Sequence, residues 1–325
     1  MTFYIFSIIA LLCWSGSDFF SKTGTAQDDK LSHWRVIFCV GAVMGLHAVI
    51  TLIAGKFIDP EKVPKFVSCL FYTDFKPIDF IHYFPVAFVY LAAMVVGYVG
   101  LRYIELSVSS PICNSSGSLA LLICVIFGLC EFDIHSTEGI LSVVGVVLVA
   151  LGIIALGITE YREDDEIKAL RNDNSNFKYT KSVIAILIPI LYLIIDALGT
   201  VGDQIIAKKE LFDLSDYASN TAFEFTSLCF AIFAFIYVKF IKKQKFFTMK
   251  KDLFIGAGCE TIGQVFYMAV MFSGFDAGIA IISSYCVMSV VWSRIFLKEK
   301  LSIWHYLSIA VTIAGIIILG IYSAV

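Results

Sequence analysis

Read from the first residue, the chain alternates between long apolar runs and short polar connections. Ten runs stand out, over residues 3–20, 32–54, 78–99, 106–129, 138–158, 182–207, 216–240, 253–273, 277–297 and 302–323. An α-helix needs about 20 mostly apolar residues to cross the hydrocarbon core of a bilayer, and each run is near that length. A transmembrane barrel would instead show segments of about ten residues with alternating character, and no such pattern occurs. The spacing therefore predicts an all-α membrane protein with ten transmembrane helices. The fourth run is the most polar, with Ser109, Ser110, Pro111, Asn114, Ser115 and Ser116 in its first turns. Polar, proline-broken backbone is stable at membrane depth only against protein or a water-filled cavity, so this helix is expected to line one.

The connections divide the chain. Two are long, at 55–77 and 159–181, and the second is highly charged. The stretches on either side of it resemble each other. LGIIALG at 151–157 matches AGIIILG at 314–320; counting back, Ser115 and Ser116 align with Ser283 and Ser284, and FGLCE at 127–131 with IFLKE at 295–299. At the front, Asp18 falls opposite Asp203. The conserved order predicts a duplicated five-helix unit, residues 1–158 and 182–325 joined by the loop 159–181. An odd number of helices per unit turns the second copy upside down. Inverted repeats of this kind hold their binding sites at the repeat interface.

Composition agrees with a lipid environment. Hydrophobic residues make up 59% and charged residues 16% of the 325 positions, against about 25% charged in soluble domains, and the mean hydropathy is +0.85. No basic, aromatic-interleaved stretch suggests nucleic-acid binding. Seven of the nine cysteines lie in apolar runs without ligand spacing and read as free buried thiols. No HExxH, GxSxG or P-loop motif occurs, so neither an enzyme nor a cofactor or metal site is expected. The first run lacks a basic flank and a cleavage site and reads as a retained helix. Of 24 Lys and Arg residues, 18 fall on the side of the odd-numbered connections. The positive-inside rule then sets both termini outside. Few prolines with abundant Ile, Phe and Lys suggest a bacterial cytoplasmic membrane.

The candidate chemistry is acidic. Asp18, Asp196, Asp203, Glu224 and Glu260 lie within the apolar runs, where an acidic residue costs about 2.5–3.5 kcal/mol at the bilayer centre on insertion scales. Asp196 and Asp203 are two helical turns apart and share one face. These carboxylates read as a proton or cation site, although Asp18 and Glu224 lie near helix ends, where the cost is small. Trp14, Tyr192 and Tyr267 are aromatic candidates for contact with a cation, and Tyr192 precedes Asp196 by one turn. Asn114 and Ser284 supply neutral hydrogen bonds or, equally, helix–helix contacts. Arg35 and Arg294 sit near helix ends, from which they are expected to snorkel. Gly41 and Gly45 read as a packing face.

With these residues in place, the chain resembles the drug/metabolite transporter superfamily, specifically its EamA-type members. The resemblance rests on WSGSDFFSK at 14–22, GYVGLRYIELSVSSP at 97–111, and a twice-used Glu followed by a Gly-rich helix, from Glu131 to Gly157 and from Glu299 to Gly320. The opening reads WSG where the family has WG, and Ile279 stands where the first half has Pro111. The resemblance implies a proton- or exchange-coupled carrier with both termini inside, opposite to the charge count. Taken together, these readings predict a secondary transporter, monomeric or homodimeric, for an amine, amino acid or other cationic or zwitterionic small molecule. The alternatives are a nucleotide-sugar or organic-anion exchanger, or a membrane scaffold or embedded enzyme.

Overall fold

The computed structural model describes residues 2–25, 28–130, 132–163, 183–207, 211–212, 214–246, 249–273 and 276–322. Among the described residues every regular element is helical. The helices are α1 (Thr2–Gly24), α2 (Ser32–Ala54), α3 (Lys65–Phe71), α4 (Pro77–Gly100), α5 (Leu106–Cys113), α6 (Ser116–Ile126) and α7 (Thr137–Arg162). They continue with α8 (Val183–Ala207), α9 (Asp216–Ile236), α10 (Lys251–Met271), α11 (Asp276–Ser283), α12 (Tyr285–Trp292) and α13 (Ile303–Tyr322). They form ten stretches long and apolar enough to cross a membrane, with α5 and α6 together making the fourth and α11 and α12 most of the ninth. Apolar side chains such as Leu46, Ile53, Ile81 and Ile126 stand exposed on the outside, as suits acyl chains rather than water. The chain is thus an integral multi-pass membrane protein by its helices. Glu131 and most of the charged loop 159–181 lie outside the described residues.

The fourth and ninth spans are broken midway. Pro111 lacks an N–H and crowds the preceding turn, and the helix stops at Asn114, with the Ser115 hydroxyl donating back to the Pro111 carbonyl at 2.7 Å. The ninth span has no proline. Its break at Ser284 is held by serines: Ser283 donates to the Ile279 carbonyl at 2.9 Å, and Ser284 to that of Ile281 at 2.7 Å. Such back-bonding bends helices. The two breaks meet, because the Asn114 side-chain amide donates to the Ser283 carbonyl.

Packing is pairwise. The first span lies along the eighth, the second along the seventh, the third along the sixth and the fifth along the tenth. The second also touches the eighth and the third the seventh, while the fourth packs on the sixth and ninth, and the first on the ninth. Glycines allow the closest approaches. A Cβ on Gly41 would fall on the Ser227 carbonyl, and one on Gly45 would sit 2.7 Å from the Leu228 Cβ. This is the packing face that the sequence predicts. Gly152 receives Thr312 and Gly315 receives Val149 in the same way between the fifth and tenth spans.

Two expectations change. Arg35 does not snorkel: it is 7% exposed, pairs with Asp29 and donates to the Lys245 carbonyl at 3.0 Å. The connection 55–77 is not merely a loop, since α3 starts behind Pro64 and buries Ser68 and Cys69 against α2 and α10.

Candidate functional site

A cavity of about 620 Å3 lies among the spans. Its floor is Ser21, Leu101 and Leu106, all buried, near the odd-numbered connections. Its mouth is Leu214, Asp216, Met271 and Phe272, near the even-numbered ones, where Asp216 and Met271 are exposed. The cavity is therefore shut at one membrane face and open towards the other.

Its walls are acidic and hydroxylated. Asp18 accepts from the hydroxyls of Ser110 at 2.6 Å and Ser289 at 2.9 Å. Asp196 accepts from Ser116 at 2.6 Å. Asp203 accepts from Tyr83 at 2.7 Å and Tyr90 at 3.2 Å. Glu260 and Asp216 complete the acidic set, and no Lys, Arg or His is among the described lining residues. A carboxylate has about four lone-pair directions, so one or two hydroxyl donors orient it and leave it able to receive a cation. Trp14 packs against Tyr267 at 5.0 Å and Tyr285 at 5.8 Å between ring centroids, making one wall aromatic. Tyr192 stands over Gly97, where any side chain would collide with its ring. Aromatic faces beside carboxylates attract cations and repel anions.

Of the residues singled out from the sequence, Trp14, Asp18, Asn114, Tyr192, Asp196, Asp203, Glu260 and Tyr267 line this cavity. The polar fourth span does so too, through Ser109, Ser110, Cys113 and Asn114. Ser284 does not, because its hydroxyl turns back on its own helix at the break. Glu224 lies behind the wall, with His47 Nδ1 2.8 and 2.9 Å from its two oxygens and the Asn220 amide donating to it at 3.1 Å. The residues missed include Asp216, Tyr83, Tyr90, Gln204, Asn220 and Gln264, all of which line the cavity. The seven-residue spacing of Tyr83 and Tyr90 sets both on one helix face, and it was the available signal.

Beneath the floor two buried charged side chains hold backbone groups. Lys22 is wholly buried and donates to the carbonyls of Leu101 and, at 2.8 Å, Ile104. Glu299 accepts from the backbone N–H of Leu106 at 3.2 Å and Ser107 at 3.1 Å, and from the Ser107 hydroxyl. A carboxylate there satisfies orphan donors at the α5 N-terminus and meets the positive end of its dipole. Elsewhere, Glu160, Glu163 and His305 bring potential metal-ligating atoms within 4.8 Å of one another. His305 is already held there, by Glu160 at 3.1 Å and the Ser302 hydroxyl at 2.7 Å.

No family model matches this chain, and no curated protein matches it.

Proposed function

We propose that the chain is a secondary transporter for an amine, amino acid or other cationic or zwitterionic metabolite. It works by alternating access, with proton coupling or exchange, in the manner of the EamA-type drug/metabolite transporters it resembles. The observation that carries this reading is the cavity, acidic and aromatic, with no basic group among its described lining residues, and open towards one membrane face. An anionic nucleotide sugar would meet repulsion there on every side.

The packing pattern supports two related halves. Exchange each span for the one five places away, and first-with-eighth becomes sixth-with-third, second-with-eighth becomes seventh-with-third, and first-with-ninth becomes sixth-with-fourth. The pairs second–seventh, fourth–ninth and fifth–tenth map onto themselves. Close approaches follow the same rule. Trp14 lies on Gly263 as Tyr192 lies on Gly97, and Leu253 on Gly24 as Val86 on Gly202. This register sets Asp18 opposite Asp196, one heptad before the Asp203 suggested by sequence. Related halves can exchange their arrangements, opening the floor as the mouth closes. With the Lys- and Arg-rich side in the cytoplasm of a bacterium, the mouth faces outward.

The test uses proteoliposomes loaded with a pH-sensitive dye, offered amines, amino acids, sugars and nucleotide sugars in turn. Amine-driven proton movement or amine exchange is expected. Asp203→Asn should weaken amine affinity about tenfold or more, since a charge-assisted hydrogen bond contributes roughly 1.5–3 kcal/mol. Transport of nucleotide sugars alone, indifferent to that substitution, would overturn the reading.

A further inference from the structure

The buried pair behind the cavity wall has a proton count that its geometry fixes. Both nitrogens of the His47 imidazole face oxygen: Nε2 lies 3.1 Å from the Leu70 carbonyl and Nδ1 lies 2.8 Å from Glu224 Oε1. A carbonyl oxygen only accepts, so Nε2 carries its hydrogen. Nδ1 and the carboxylate then need one more proton between them, held either by the imidazolium or by a neutral Glu224. Removing that proton leaves a nitrogen lone pair against a carboxylate at hydrogen-bonding distance. In a site where Glu224 is 1% exposed, that repulsion is poorly screened, so losing the proton drives the two side chains apart.

The pair also has an outlet to the cavity. Asn220 donates to Glu224 at 3.1 Å and accepts from the Gln264 amide at 3.3 Å, and both amides line the cavity. On the other side His47 bridges to α3 through Leu70. The pair spans the seam between α2 and α9, beside the glycine contacts of Gly41 with Ser227 and Gly45 with Leu228. The surrounding helices also carry Lys65 and Cys69 of α3, Asp216 and Tyr217 of α9, Tyr90 of α4, and Glu260 and Tyr267 of α10. Of these Lys65 is the basic one, and its ammonium donates to the Phe272 carbonyl, so His47 is the base that meets Glu224.

We propose that His47 and Glu224 form the proton-binding site of the transport cycle, separate from the cavity carboxylates that bind the substrate. One proton taken up from the open face closes the pair and secures the α2–α9 seam, and its release parts them. The Asn220–Gln264 bridge carries that change to the cavity. This inference rests on the transport reading above, and the experiment keeps the two apart.

Two measurements are made on the full-length protein, wild type and the variants Glu224→Gln, His47→Gln and the two combined. The first is proton release by purified protein in detergent, titrated from about pH 5 to pH 9, the range in which a histidine-based site changes charge. The double variant is expected to release one proton per chain fewer than wild type. Equal release overturns the proposal whether or not any amine is carried. The second is uptake into proteoliposomes of tetraethylammonium or N-methylpyridinium, whose permanent charge prevents leakage as a neutral base. Wild type should accumulate the probe about tenfold per unit of imposed pH difference for one coupled proton. The glutamine variants should lose this while keeping counterflow of the probe within about twofold. Variants that accumulate the probe like wild type reduce the pair to a structural ion pair and overturn the proposal. Wild type that shows the extra proton but no counterflow defeats the amine reading and leaves the proton site standing.

Discussion

The two ends of the cavity use the same chemical groups to opposite effect. Each has a lysine bonded to a backbone carbonyl: Lys22 to Leu101 and Ile104 beneath the floor, Lys65 to Phe272 at the mouth. Each has a carboxylate serving a helix start, Glu299 at α5 beneath the floor and Asp74, through the N-cap Ser215, at α9 by the mouth. Lys22 and Glu299 are buried, whereas the Lys65 and Asp74 contacts are exposed. Water competes for the groups at the mouth and screens them, so those contacts can break at little cost. Beneath the floor each bond is made once and has no aqueous substitute. The comparison shows that closure here is a matter of desolvation rather than of residue type. The floor is packed as well as bonded, with Leu101 and Leu106 buried against Leu297 beside Phe19 and Tyr98.

The largest expected effect tests that difference directly. Lys22→Met should lower stability by about 2–3 kcal/mol, because two buried carbonyls lose a charged donor, and Lys65→Met should change it by less than about 0.5 kcal/mol. Thermal unfolding in detergent measures both, and equal shifts would erase the distinction between the ends. Next comes Glu299→Gln, which keeps the shape but removes the charge at the α5 N-terminus. A loss of about 1–2 kcal/mol is expected, against a few tenths for Asp74→Asn at the mouth. Gly41→Ala sharpens the comparison by acting on neither end. Its Cβ would strike the Ser227 carbonyl, which no side-chain rotation relieves, and overpacking of this kind costs about 1–3 kcal/mol. Gly117→Ala, with open space around it, serves as the neutral control. The smallest effect is chemical. Burial pushes the Cys69 thiol up to about 12, so near pH 8 it is almost entirely protonated and should react slowly with maleimide although it lies near the open end. Rapid labelling in the absence of substrate would mean that α3 lifts away from α10.

Part of the site was legible because its costs are local. Asp196 and Asp203 stand out in an apolar run at a helical repeat, and both line the cavity. The serines, Pro111 and Asn114 of the fourth span likewise announce a helix that cannot face lipid. Glu224 carries the same signal and means something else, because its partner His47 lies on a different span. The tyrosines that orient Asp203 carried no signal beyond their spacing, for the converse reason: Tyr83 and Tyr90 are ordinary residues of an aromatic-rich membrane helix until the third and sixth spans meet. Ser284 stands at the break of the ninth span, with its hydroxyl on the Ile281 carbonyl rather than in the cavity.

The sequence by itself determined the solvent and the number of membrane-length spans. Transfer of apolar side chains into lipid is a sum over each segment and does not depend on where its neighbours go. Which helices pair, where the ninth span breaks without a proline, and which carboxylates face a cavity rather than a histidine were decided by tertiary structure. Those outcomes depend on hydrogen bonds and close approaches between residues as distant in the chain as Asp18 and Ser289, and such contacts acquire their energy only once the helices are assembled.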